Sequence, residues 1–355
     1  MMQQEEKSRI WVSNWLFVGV AMLVVQVILG GITRLTGSGL SITEWDPIMG
    51  AIPPTSESQW QHAFQQYQQI AQFKYMNYNF TLSDFKHIFF WEWFHRLWAR
   101  SIGIVFIIPF VYFIIKKHIK SWMIQPLIGL FILGGFQGLI GWIMVKSGLN
   151  DENLYVSHIK LAIHFIAAMV LIVYTLLFAL MIRVPQREKV VNPSLKKFTI
   201  VIIIILFIQL LYGAFMAGLK AASAAPTWPT INGMWIPDAF GNSPLQQSLF
   251  FNKITIHFIH RTLAYILLIL IIFWYAKTTN IKQSQWFSFT KQLAIILVCT
   301  QVVLGVAAVL SSTGIVLGKF GLFEWLAELH QTIGMLLLLT MIANSYLLLF
   351  RPAQS

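Results

Sequence analysis

Charge is scarce in this chain. Only 11% of its 355 residues are Asp, Glu, Lys or Arg, and 57% are hydrophobic, whereas a soluble domain runs near one quarter charged. Apolar runs of bilayer-spanning length recur throughout, which excludes a cytosolic globular enzyme and gives an all-α polytopic membrane protein. Acid is scarcer still: 13 Asp and Glu stand against 25 Lys and Arg, for a formal net charge of +12. The basic residues gather in short connectors between apolar runs, the positive-inside pattern, so the charge speaks for membrane topology and against nucleic acid. The one cysteine, Cys299, lies inside an apolar run, leaving no intrachain disulfide and no cysteine-based metal site. A cleavable signal pattern is also missing. The segment MMQQEEKSR leads into an apolar run too long for a signal-peptide core, and that run is expected to remain as a span.

Eight spans are expected, at roughly 11–33, 88–115, 123–146, 157–182, 198–220, 253–276, 291–313 and 324–349. Lys116, Lys117 and Lys120 follow the second span, Arg183, Arg187, Lys189, Lys196 and Lys197 the fourth, and Lys277 and Lys282 the sixth. These connectors and both termini are therefore expected in the cytoplasm. The first outer connector, 34–87, is the longest. Its Gly- and Pro-rich start reads as ordered loop. Beyond it Trp60, Phe64, Tyr67 and Ala71 recur at helical spacing. That fits an amphipathic helix lying on the outer membrane surface or one packed onto the protein. Thr81 and Asp84 have capping-box spacing just before the second span.

The spans repeat. Each odd span carries Gln-x-x-x-Gly: Gln26/Gly30, Gln137/Gly141, Gln209/Gly213 and Gln301/Gly305. Each even span carries a histidine a few residues inside its outer end: His95, His164, His260 and His330. Gln26 and Gln209 are 183 residues apart, as are Trp45 and Trp228 and Gly50 and Gly233, while His95 and His260 are 165 apart. Two parallel four-helix halves related by duplication account for this, the first carrying an insertion of 18 residues after Gly50. The expected division is 1–190 and 191–355, as two pseudo-twofold-related bundles. The glutamines fit helix-to-helix hydrogen bonding beside close-packed glycines, or direct contact with a ligand.

Ionisable groups at bilayer depth mark function, because they are costly there unless they face a bundle interior, a cofactor or water. The four histidines share a depth on the order of 10 Å below the outer surface. Paired across a four-helix unit, His95 with His164 and His260 with His330, they can clamp an iron macrocycle as axial ligands. Arg96 and Arg261 each follow a histidine and suit propionates or a carboxylate. Arg34, Lys146, Lys220 and Lys319 end the odd spans and fit either propionate contacts or snorkelling. His257 lies one turn from His260 and competes with it as a ligand. Glu92 lies one turn from His95, and the corresponding position in the second half is His257. A carboxylate beside one pair only suggests that one site does chemistry and the other holds a resident cofactor. Glu92 suits general acid–base work, or a fixed salt bridge to Arg96 or Arg100.

The blocks GGITRLTGSGLSITEWDPIMGAIPP, FKHIFFWEWFHR, IHFIHRTLAY and ELHQ, with the His164 span, resemble the haem A synthase family. The likeness is to the alphaproteobacterial and mitochondrial branch, since the cysteine pairs of the other branch's outer loops are lacking. The resemblance implies oxidation of the C8 methyl of haem O to a formyl group, through a hydroxymethyl and then a gem-diol that loses water. It implies haem b on His260 and His330, and haem O as substrate at His95 and His164, with Glu92 catalytic. Implied partners are the haem O-producing farnesyltransferase, a ferredoxin-like or other electron donor, the terminal oxidase that receives haem A, membrane lipid, and a second copy of the chain in a homo-oligomer. Two other readings fit the residues without the resemblance: a di-haem b membrane electron carrier, and a transporter using the intramembrane His, Glu and Arg.

Overall fold

The computed structural model describes residues 2–44, 49–238, 244–315 and 320–351. Eight of its helices are long and apolar enough to cross a membrane, matching the eight expected spans. They are α1 (Met2–Leu35), α4 (Leu82–Ile115), α5 (Ser121–Lys146), α6 (His158–Arg183), α7 (Pro193–Gly218), α9 (Lys253–Thr278), α10 (Gln285–Ser311) and α11 (Leu322–Leu347). Short helices α2 (Glu57–Tyr67) and α3 (Ala71–Tyr75) lie in the first outer connector, and α8 (Leu245–Phe251) precedes α9. Starts follow local sequence. Thr81 caps α4 in a capping box with Asp84, as its spacing implied. Asn192 caps α7 ahead of a Pro at the first helical position, and Asn252 and Ser284 cap α9 and α10.

Contacts divide the chain into two compact units. One comprises the described residues of Met1–Val20, Met169–Ile315 and Gly321–Ser355; the other comprises those of Ala21–Ala168, with Phe320. In the first, α7, α9, α10 and α11 close a four-helix ring, each packed on the next and α11 returning to α7. Buried side-chain hydrogen bonds pin this ring below the histidine level. Trp274 Nε1 donates to Thr199 Oγ1 at 2.8 Å, and Thr290 Oγ1 donates to Asn344 Oδ1 at 2.8 Å. Such bonds contribute about 1 kcal/mol each, and more is lost when one partner is removed.

At the inner end, basic residues complete helix C-termini, whose last carbonyls lack intrahelical donors. Arg9 Nη2 donates to Ile182 O at 3.0 Å, and Lys196 Nζ donates to Leu348 O at 2.8 Å. Ile182 and Leu348 are 166 residues apart, as His164 and His330 are. Arg9 on α1 and Lys196 on α7 thus hold carbonyls at positions that repeat with the histidines. Lys291 does likewise for the end of α9, donating to Thr278 O and Ile281 O. These basic residues therefore serve as helix caps. Beside Leu348 a short strand, Leu348–Leu349, pairs in parallel with Val190–Val191.

In the other unit, the helical stripe of the outer connector packs on protein. Phe64, Tyr67 and Ile70 join Leu40 and the first turns of α4 (Phe85, Ile88, Phe89) in a buried cluster, with Trp60 and Phe73 against it. Between the two settings its spacing allowed, this is the packed one. Ring contacts such as Trp60–Phe89, 5.0 Å between centroids and edge-to-face, set the angle at which α2 crosses α4. Tyr67 is fully buried, and burial pushes its hydroxyl up to about 12, so it stays a neutral hydrogen-bond partner of Gln72 and Asn77. Trp93 Nε1 donates to Ala51 O at 3.1 Å, tying the loop to α4. The connector is thus fixed directly above the outer end of α4, where Glu92 and His95 lie.

Candidate functional site

Each of the four histidines rests against the glycine of a Gln-x-x-x-Gly motif on a neighbouring helix. A Cβ added to Gly30 would lie 3.2 Å from His95 Cε1; the values are 2.9 Å for Gly141 and His164, 3.3 Å for Gly213 and His260, and 2.9 Å for Gly305 and His330. Contacts at or under about 3 Å are not accommodated in a packed interior without a shift. At Gly141 and Gly305 an added Cβ would force the imidazole to shift, and at Gly30 and Gly213 the ring would have to give by a few tenths of an ångström.

The glutamine one turn earlier touches the same ring. Gln26 Nε2 is 3.2 Å from His95 Nε2 and also donates to His95 O at 3.3 Å. Gln137 Nε2 is 3.2 Å from His164 Nδ1 and donates to His164 O at 3.0 Å. Gln209 Nε2 lies 3.5 Å from His260 Nε2, and Gln301 Nε2 lies 3.3 Å from His330 Nε2. His330 Nδ1 donates to Gln301 O at 3.1 Å, which leaves Nε2 as the lone-pair nitrogen. The helix-to-helix role anticipated for the glutamines is present, and its partners are the histidines themselves.

The His260 and His330 rings face each other within one unit, with centroids 6.2 Å apart and planes at 73°. Metal–imidazole nitrogen bonds are about 2 Å long, and two such bonds on opposite sides of one metal put the ring centroids roughly 6 Å apart. The spacing fits a single metal held axially from both sides. Among the described residues no group of three or more His, Cys, Asp or Glu side chains gathers to hold a bare ion. Two imidazoles suffice for a metal that brings a macrocycle with it. In the other unit His95 and His164 lie within electrostatic reach of each other.

Glu92 is 2% exposed. Its Oε2 accepts from Ser41 Oγ at 2.7 Å and from the backbone N–H of Ile42 at 2.9 Å, and its Oε1 pairs with Arg96 Nη2 at 2.5 Å. Arg96 in turn donates to Ile42 O at 3.2 Å and Glu44 O at 3.5 Å. Of the two ion pairs weighed from sequence, the one with Arg96 forms. Each carboxylate oxygen accepts two hydrogen bonds, so Oε1 keeps capacity for another donor. The three charge-assisted bonds, two on Oε2 and one on Oε1, fix the orientation of the carboxylate.

Arg261 repeats the scaffold. It donates to Ala225 O at 2.9 Å and Thr230 O at 3.2 Å. Ala225 is the counterpart of Ile42, 183 residues on. The side chains it frames differ: Ala224 stands where Ser41 is, and His257 where Glu92 is. His257 is fully buried. Lys146 of the outer basic set lies over the Trp142 ring, 5.1 Å from its centroid; Lys319 lies outside the described residues.

Sequence reasoning missed two things here. Ser41 and the Ile42 N–H hold Glu92 from 51 and 50 residues away, and no local spacing signals that. Glu328, 5% exposed, lies two residues before His330, so the acid at Glu92 is not the only buried carboxylate near a histidine pair. Residues two apart on a helix face different ways, however, and the position one turn before each His-Arg still holds Glu92 in one half and His257 in the other.

The pattern of a cytochrome oxidase assembly protein, COX15-CtaA, matches residues 13–342. The chain is similar to heme A synthase of Parvibaculum lavamentivorans, 40% identical over 77% of this chain and 80% of that protein. It is similar to heme A synthase of Bartonella henselae, 36% identical over 96% of this chain and 93% of that protein. It is also similar to heme A synthase of Flavobacterium psychrophilum, 36% identical over 92% and 94% respectively.

Proposed function

The chain belongs to the COX15-CtaA family of cytochrome oxidase assembly proteins, and from that premise we propose that it is a membrane oxidoreductase converting haem O to haem A for terminal oxidases. The substrate haem is held in the N-terminal half by His95 and His164. A resident haem b is held in the C-terminal half by His260 and His330, and supplies one-electron transfer there. The two halves, 1–190 and 191–355, are copies of one four-helix bundle related by a pseudo-twofold axis along the membrane normal. Both termini face the cytoplasm, so both sites lie toward the outer face of the inner membrane.

The observation that carries this reading is the contrast between Glu92 and His257 on matching scaffolds. Oxidising a methyl group by two hydroxylations and a dehydration requires protons to move at the substrate. Glu92 is an oriented carboxylate one turn from His95, and its Oε1 has room to take or give a proton. Arg96 neutralises its charge and locks it to the loop that carries Ser41, so the carboxylate and the loop above the site move as one piece. The loop and the cluster beneath α2 keep bulk water from that end of α4. The 6.2 Å facing pair in the C-terminal unit has no such acid at the matching position, which suits a site where electrons pass and no bonds change. Arg96 and Arg261 keep further N–H groups for propionates, since each guanidinium has five donors. The farnesyltransferase that makes haem O is the upstream partner, a ferredoxin-like protein or other donor supplies electrons, and the terminal oxidase under assembly takes the product.

Extraction of the porphyrins from purified protein tests this. Haem O or haem A found together with haem b is the expected result. Haem b alone in both sites means the di-haem electron carrier, and a colourless preparation means neither.

A further inference from the structure

We propose that the four Gln-x-x-x-Gly motifs are the positioning elements of the four axial imidazoles, the glycine seating the ring edge and the glutamine amide steadying the ring through its nitrogens. This rests on the proposed bis-imidazole haem sites and goes beyond them, because it assigns a function to residues on the four odd spans that bear no ligand themselves.

Three observations carry it. The glycine contact occurs at all four sites, with Cε1 the nearest ring atom each time. Other helical glycines do not share it: a Cβ at Gly134, Gly135 or Gly138 would meet nothing within 4 Å. The motif's glycine is therefore required by the imidazole and not by close packing in general. The amide contact also occurs at all four sites, reaching a ring nitrogen each time. Finally, Oε1 of Gln26, Gln209 and Gln301 is buried with no hydrogen-bond partner. A buried amide oxygen without a donor is costly, so these side chains are held for the imidazoles at the expense of their own satisfaction.

At His330 the arrangement is most complete. The main-chain carbonyl of Gln301 takes Nδ1–H and its amide reaches Nε2. One residue thus fixes the tautomer and covers the lone pair that an iron takes when the site is loaded. Groups that orient a metal-bound imidazole usually account for about 10- to 100-fold in metal affinity.

The test uses the full-length protein in detergent, with haem content, the low-spin electron paramagnetic resonance signal and the midpoint potential of haem b as readouts. Gln301→Leu is expected to retain the fold while haem b affinity falls about 10- to 100-fold, the g-values shift and the potential moves. Gln301→Asn, which keeps an amide donor near the ring, is expected to return the g-values toward those of the unaltered protein. Gly305→Ala is expected to lose haem b, while Gly134→Ala, the matched helical control, keeps it. Unchanged g-values and potential in Gln301→Leu at full haem content overturn the inference and leave the ligand assignment standing. Haem b retained in both His260→Ala and His330→Ala overturns the ligand assignment itself. Loss of folded protein in Gly134→Ala as well as Gly305→Ala reduces the glycines to helix packing and refutes their part.

Discussion

The outer ends of α4 and α9 are two versions of one device. In each, an arginine following a histidine donates to carbonyls of the preceding outer loop, Arg96 to Ile42 and Arg261 to Ala225. In each, the histidine rests on a glycine of the neighbouring helix. Among the groups that frame the arginine they part at Ser41 and Glu92 in one, Ala224 and His257 in the other. Holding a macrocycle needs the shared parts. Moving protons at it needs an oriented carboxylate, and that is the part that differs.

The largest expected effect comes from the ligands. His260→Ala or His330→Ala should abolish the low-spin haem b spectrum, while His95→Ala and His164→Ala should leave it in place and abolish haem A formation. Optical spectra of the four variants decide this, and haem b lost in the first-half variants instead would invert the comparison. Next comes Glu92→Gln, which preserves shape and most hydrogen bonding. Haem A formation should fall by about 10²- to 10⁴-fold, the usual contribution of a positioned acid or base, with haem b occupancy unchanged. Turnover at the original rate would reduce Glu92 to a structural partner of Arg96. A smaller effect is expected at the matching position: His257→Gln should keep the low-spin signal, since His260 faces His330 across 6.2 Å. Loss of that signal would make His257 the ligand and end the correspondence between the two ends.

The parts of this device differ in how far the sequence exposes them. Spans are legible because bilayer hydrocarbon demands about 20 apolar residues in a row, and the histidines stand out because an ionisable group there is costly. The offsets between Gln26 and Gln209, and between His95 and His260, mark the repeat without any structure. The contacts that make the site are another matter. Gln26 meets His95 across 69 residues and Gln137 meets His164 across 27; the spacing marks both motifs but not their meeting. Ser41 reaches Glu92 only because an aromatic cluster folds the connector back over α4, and helical periodicity left open whether that stripe faced lipid or protein. Glu328 stands in the ELHQ block, but that it is buried beside His330 depends on what surrounds α11.

The smallest expected effect concerns a second glutamate held like the first. Glu188, near the surface at the inner end, accepts from Ser284 Oγ at 2.8 Å and from the N–H of Trp286 at 3.3 Å, much as Glu92 accepts from Ser41 and Ile42. It lacks an arginine locked across it and it lacks burial. The Ser284 hydrogen bond, followed by the backbone donors, holds its carboxyl below the usual carboxylate range. A carboxylate with a depressed folded value contributes stability that is present above its unfolded value and is lost as pH falls through the folded one. The contribution of Glu188 should therefore be complete at neutral pH and disappear only well into the acid range, below about pH 4. Glu188→Gln should remove that acid-dependent step from the melting temperature while leaving haem content and haem A formation untouched. If it lowered activity as Glu92→Gln does, the serine-and-backbone cradle would not separate a reacting acid from a structural one, and burial beside a histidine would lose its claim to be what makes Glu92 different.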